Sequence, residues 1–163
     1  MEWTEWDSRT CSVARTAELV GDAWTVLVLR DLLNGVRRFD ELAGHLGIAR
    51  NVLTRRLAGL VDAGLVERVP YREPGRRERH EYRLTEAGLE LRIVLNALRD
   101  WGDRHLAGEA GQPVRVEHAG CGAEVRTVLR CEAGHEITND TRLRSVPGPG
   151  AKRGPAPEAV VTG

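Results

Sequence analysis

Aromatic side chains are scarce in this chain: Phe, Tyr and Trp together make up 4% of its 163 residues. Single-stranded RNA is usually held by stacking its bases on aromatic platforms, so the scarcity argues against an RNA-binding surface. Only three cysteines are present, Cys11, Cys121 and Cys131, too few for a disulfide framework in a chain of this size. Long apolar runs are missing too. The longest, about 23–29, is interrupted by Thr25 and is far too short to cross a bilayer. The N-terminal MEWTEWDSR is acidic and has no apolar centre, so no secretory signal and a cytoplasmic location are expected. The five histidines, the acids, Ser8 and Ser12 stand in no recognisable catalytic spacing, and no Gly-rich loop is present to cradle phosphate. An enzyme is therefore not expected. Net charge is absent as well, with 24 Lys and Arg against 24 Asp and Glu, so any basic patch must be a matter of placement.

What is present centres on residues 38–69. Phe39, Leu42, Ala43 and Leu46 lie on one face at helical spacing, and Gly47 breaks that helix. Ile48 then fills the angle before a second helix over about 49–63, whose apolar stripe is Leu53, Leu57, Leu60 and Val61. Gly64 is predicted to end this helix in a left-handed cap. Two helices joined by so tight a turn make a helix–turn–helix, which lays its second helix in the DNA major groove. Off the stripe, near the N-terminus of that helix, stand Arg50, Asn51, Thr54 and Arg55. Arg can bond guanine edges, Asn can bond adenine, and Thr can serve either. The plainer alternative is that they are solvated polar residues on an ordinary helical hairpin.

The next residues favour the first reading. Residues 65–69 and 80–84 read as two strands, joined by a turn-rich loop with Pro74-Gly75 at its tip. Such a hairpin is the wing of a winged helix. Residues 50–83 hold nine Arg and five acids, a local surplus of four positive charges in a neutral chain. Arg72, Arg76, Arg77 and Arg79 are placed to meet phosphates or a minor groove. The alternative for this loop is a solvated hairpin in which Glu73 and Glu78 partly cancel the charge.

Around this unit the chain divides into an arm at 1–10, a domain at 11–106, a linker at 107–113, a small module at 114–144 and a Pro-rich, disordered tail at 145–163. Trp3 and Trp6 in the arm are suited to docking on a neighbour or to covering their own domain. The first helix is expected from Cys11 to about Val20, with Ala14, Ala17 and Val20 or Leu19 inward. The second runs over 24–33, capped by Asp22, and is apolar on most sides, which makes it the central buried helix. Thr85 is expected to cap a long helix at about 86–106. Leu91, Val94, Leu95, Leu98 and Trp101 form one stripe, and Leu89, Ile93 and Ala97 widen it beyond what one small domain can cover.

Several residues in this order resemble the HxlR family of bacterial winged helix–turn–helix regulators. They are Cys11, the Gly21-x-x-Trp24 step, Leu29-Arg30 with Leu33 and Gly35, Arg38-Phe39-x-Glu41-Leu42, Leu53-x-x-x-Leu57, Leu60, Gly64-Leu65-Val66 and Tyr82-x-Leu84-Thr85-x-x-Gly88, with spacing held to Trp101-Gly102. The resemblance implies a mainly α fold with a small β-hairpin wing. It also implies a homodimeric transcription factor, commonly a repressor, with the wide stripe as dimer interface and the first helix joining it. Two recognition helices would then read an inverted-repeat operator of double-stranded DNA. The family usually has Ser or Thr where Ala49 stands, so the side-chain cap is absent here, at a typical cost of ~1 kcal/mol. In some members the cysteine at this point senses oxidants, which makes Cys11 a candidate sensor. A helix N-terminus, with Arg9 and Arg15 nearby, favours a thiolate, while a small buried thiol is the alternative. Other members respond to small molecules. Two further readings are an architectural DNA-binding protein indifferent to redox state or ligand, and a winged helix used for protein contact. The polar face of Arg50, Asn51, Thr54 and Arg55 disfavours the second.

The module at 114–144 pairs His118 with Cys121 and Cys131 with His135. Four N and S ligands suit a closed, structural zinc site of zinc-ribbon type. Relatives with similar modules usually carry two Cys separated by two residues at the second pair, whereas Gly134 stands there and His135 comes one step late. Either His135 substitutes or the module is a degenerate β unit held by Val114, Val116, Val125, Val128 and Leu129.

Overall fold

The computed structural model describes residues 2–75 and 77–154. Its centre is α2 (Ala23–Leu33), preceded by α1 (Ser12–Val20). The Asp22 carboxylate caps α2 by accepting from the amides of Trp24 (3.0 Å) and Thr25 (3.3 Å). Around α2 close α3 (Phe39–Leu46), α4 (Arg50–Asp62) and the antiparallel pair β1 (Val66–Tyr71) and β2 (Arg79–Leu84). Val28, Leu29 and Leu32 of α2 meet Leu42, Ile48, Leu53, Leu57, Leu60 and Val66, and all nine are buried. Ile48 does plug the inter-helix angle, at 5% exposure.

Two glycines make the corners. Gly47 ends α3 with φ of 62°. Gly64 follows α4 with φ of 70°, its amide donating to Val61 O and the Leu65 amide to Leu60 O, both left-handed and suited to a residue without Cβ. Thr85 fastens the next corner: its hydroxyl donates to Gly64 O (2.7 Å) and accepts from the Gly88 amide (3.2 Å), while its own amide donates to Leu65 O. The wing gains a third edge where the Tyr82 amide donates to Arg37 O and Arg38 bridges Glu81. β1 is therefore the free edge, where Pro70, which has no amide hydrogen, is tolerated.

Two expectations need correction. The helix over 86–106 is broken into α5 (Glu86–Glu90) and α6 (Arg92–His105), because Leu91 has ψ of −9° and its amide turns back to Gly88 O. The first helix has no fully buried residue: Ala14 and Val20 are half-buried, with Val20 against the core, but Ala17 is exposed and Leu19 is 55% exposed.

After α6 the chain forms two small hairpins. One has its turn at 118–122 and joins Val116 to Val125. The other pairs β3 (Leu129–Arg130) with β4 (Glu136–Ile137). They are held to α6 by Arg99, which donates to Val125 O (2.8 Å), and by Asp100, which accepts from the Thr127 amide (2.6 Å). Burial pushes the Asp100 carboxyl up, but the Thr127 and Arg99 donors outweigh it and hold it below the usual carboxylate range. The described part of the arm, 2–10, forms two short 3-10 turns and lies beside the start of the tail. Trp6 bridges Arg153, and the Asp7 amide donates to Lys152 O. The remaining tail, 155–163, lies outside the described residues.

Candidate nucleic-acid interface

The exposed face of α4 carries Arg50, Asn51, Thr54 and Arg55, all four solvent-facing, because Leu53, Leu57 and Leu60 fix the opposite face in the core. Ala49 occupies the N-cap position with no side-chain bond. Asn51 partly fills that role, its side-chain oxygen accepting from the Val52 amide (2.9 Å). Thr54 donates its hydroxyl to Arg50 O (2.8 Å). Arg50 donates through Nη1 to Asp40 Oδ1 (2.8 Å), and its guanidinium lies 4.8 Å from the centre of the Phe39 ring. In this state the Thr54 hydroxyl proton is spent on Arg50 O, while its lone pairs and the Asn51 Nδ2 donors remain for a base edge.

The wing stands beside this face. Arg79, the first residue of β2, has Nη1 3.8 Å from Asp40 Oδ2, so the same carboxylate that holds the recognition helix also reaches the wing. Arg72 and Arg77 are exposed in the loop, and Arg76 lies outside the described residues. Arg38 anchors the wing's base, stacking on Tyr71 at 4.7 Å and pairing with Glu73 at 2.8 Å. Arg56, which contributes to the basic surplus, is tied inward to Asp22 (2.8 Å), linking α4 to the start of α2. Asp40 and Arg38 were not among the expected site residues. Their roles are not written in local spacing, because each acts across a gap in sequence of at least ten residues.

The wide stripe divides. Leu91 and Leu95 pack against the domain's own core. Ile93, Val94, Leu98 and Trp101 are 70%, 45%, 52% and 53% exposed, and α6 has no buried residue. Val13 and Leu19 of α1 are also exposed.

Cys11 is half-buried at the N-cap of α1. The nearby Arg9 has its guanidinium bound to the Asp7 carboxylate at 2.9 Å. The four expected zinc ligands remain in two places. His118 Nδ1 lies 3.2 Å from Cys121 Sγ in the first hairpin turn. Cys131 and His135 close the second through the Cys131 amide and His135 O. Among the described residues, no three His, Cys, Asp or Glu side chains come together as metal ligands. No described helix is long and apolar enough to cross a membrane.

A helix–turn–helix with an exposed polar second helix and an arginine-bearing wing beside it defines a winged-helix DNA-binding transcription regulator. Comparison with known proteins gives the family. Residues 19–110 match the HxlR-like helix-turn-helix model, and the chain belongs to that family. It is 47% identical over 142 residues to the HTH-type transcriptional regulator Rv3095 of Mycobacterium tuberculosis, covering 86% of this chain and 88% of that protein. The crystal structure of PA1607, titled as a candidate transcription factor, is similar at 36% identity and a TM-score of 0.71, over 82% of this chain and 94% of that one. The redox regulator HypR in its reduced form is similar at 28% identity and a TM-score of 0.51, over 56% of this chain and 90% of that one. These relatives are regulators, not enzymes. The first two matches extend beyond the winged helix into the residues after 110.

Proposed function

We propose that the protein is a cytoplasmic homodimer that binds an inverted-repeat operator and represses transcription there. The observation that carries this reading is the shared exposure of two unlike surfaces. One is the Arg50, Asn51, Thr54 and Arg55 face of α4 beside the wing. The other is the apolar α6 face of Ile93, Val94, Leu98 and Trp101, joined by α1. A second copy is the natural cover for the apolar face, with Leu91 and Leu95 backing it from the core side. A two-fold axis there would set two recognition helices on half-sites ~34–36 Å apart. Arg50, Asn51, Thr54 and Arg55 would read bases, while Arg72, Arg76, Arg77 and Arg79 hold phosphates and fix the register.

The test is selection from a random duplex pool at near-physiological salt, followed by variants on the recovered site. An enriched palindrome is expected, whereas uniform, salt-sensitive binding to every duplex would favour an architectural protein. Arg55 has no charged or hydrogen-bonded partner among the described residues. Arg55→Ala should therefore relax base preference by ~1–3 kcal/mol at one position of each half-site. Arg77→Ala should weaken binding about equally on all sequences and reduce the salt slope by about one. The reverse pattern would mean that helix and wing exchange these roles.

Oxidant sensing through Cys11 is part of this reading. It is supported by the position of the half-buried thiol at a helix N-terminus, next to the α1 face assigned to the dimer, and by the likeness to the redox regulator HypR. Peroxide or a quinone should weaken operator binding by the native protein and leave Cys11→Ser unaffected. Equal loss in both would remove Cys11 from the mechanism and leave a small-molecule signal as the alternative.

A further inference from the structure

Asp40 is the one carboxylate on the DNA-facing side that touches both the recognition helix and the wing among the described residues. It lies in the first turn of α3 and is 62% exposed. Its Oδ1 accepts from Arg50 Nη1 at 2.8 Å, and its Oδ2 lies 3.8 Å from Arg79 Nη1. Arg50 is held from a second side by the Phe39 ring. Isolated surface pairs contribute little to stability, so a merely stabilising role would be small. The position matters more than the pair energy, because this negative charge stands where the protein would meet a polyanion.

Building on the proposed DNA reading, we infer that Asp40 is a specificity-determining positioning residue, which buttresses Arg50 for a base edge and penalises binding to phosphate alone. Arg50 carries five N–H donors in a planar fork, and Asp40 takes only one of the two hydrogens on Nη1. Nη2 and Nε remain for a guanine edge, with the fork's plane fixed by Asp40 and Phe39. Arg79 meets phosphate on either duplex, but on a sequence without that edge Arg50 is drawn to phosphate as well and must leave Asp40 to reach it. The abandoned carboxylate then faces the backbone as an unshielded like charge. Asp40 thus weakens non-specific binding while leaving the operator complex intact.

The test measures affinity of the full chain for its selected operator and for a scrambled duplex of equal length, over a salt series, in the native protein, Asp40→Asn and Asp40→Glu. Asp40→Asn should bind the scrambled duplex about threefold to fivefold more tightly, with a salt slope steeper by about one, and change operator affinity less than twofold. Its specificity ratio therefore falls. Asp40→Glu keeps the charge and should keep the native ratio. Parallel weakening on both duplexes, an unchanged ratio in Asp40→Asn, or equal loss of ratio in Asp40→Glu would each overturn the inference. A lowered melting temperature with an unchanged ratio would assign Asp40 to favourable charge at the α3 N-terminus instead. A native protein with no preference between the duplexes would overturn the proposed function itself, and that result is read before any variant is compared.

Discussion

Leu98→Asp should leave the chain folded and lower operator affinity by at least a hundredfold. Leu98 is 52% exposed in the single chain, so a carboxylate there is hydrated and removes no core packing. In the proposed dimer the same side chain lies in an apolar face with Ile93, Val94 and Trp101, and two copies of it would put two carboxylates close together out of water. Loss of the dimer converts a bivalent contact into a single half-site, and linking two sites ordinarily raises affinity by ~10²–10⁴. Sedimentation at micromolar concentration, circular dichroism and operator binding should show a monomer, an unchanged helical signal and the loss of affinity. A variant that stays dimeric and binds normally would place the interface elsewhere.

Gly88→Ala should destabilise the fold by about 3 kcal/mol, although alanine is the better helix former by ~1 kcal/mol. Gly88 is buried in α5, and a Cβ built on it would stand 2.1 Å from Leu65 O and 3.0 Å from Leu84 Cδ2. The flexible leucine tip can yield, but the oxygen cannot. Leu65 O accepts from the Thr85 amide, and the Leu65 amide closes the end of α4 onto Leu60 O. Making room therefore opens the corner joining α4, the wing and α5. Overpacking of this kind outweighs the propensity gain, and the urea midpoint should fall with the slope preserved. A midpoint equal to or above the native one would show that this corner yields easily.

The local sequence patterns were enough for the winged helix itself. The stripe of Leu53, Leu57 and Leu60 faces the core, Gly47 and Gly64 sit in left-handed corners, Asp22 and Thr85 cap the helices assigned to them, and the basic hairpin follows in register. Each of these is a local device with its own period or turn chemistry, so neighbouring residues suffice to specify it. The break at Leu91 was not legible, because the apolar spacing continues through it and only ψ at that residue changes. The exposure of α1 was not legible either, since an amphipathic helix looks the same whether its own domain or a second copy covers it.

The sequence by itself determined the helix–turn–helix, the wing and the side of α4 that faces outward. Burial of a leucine stripe leaves the opposite face only one place to go, so periodicity alone decides it. Tertiary structure decided how the charges are used. It turned Arg56 inward to Asp22, seated Arg38 on Tyr71 and set Asp40 between Arg50 and Arg79. It also kept the pair His118 and Cys121 apart from Cys131 and His135. An ionic or ligand partner is chosen by distance in space, across gaps that no local pattern encodes, and a flexible arginine reads the same in sequence whichever carboxylate it finally meets.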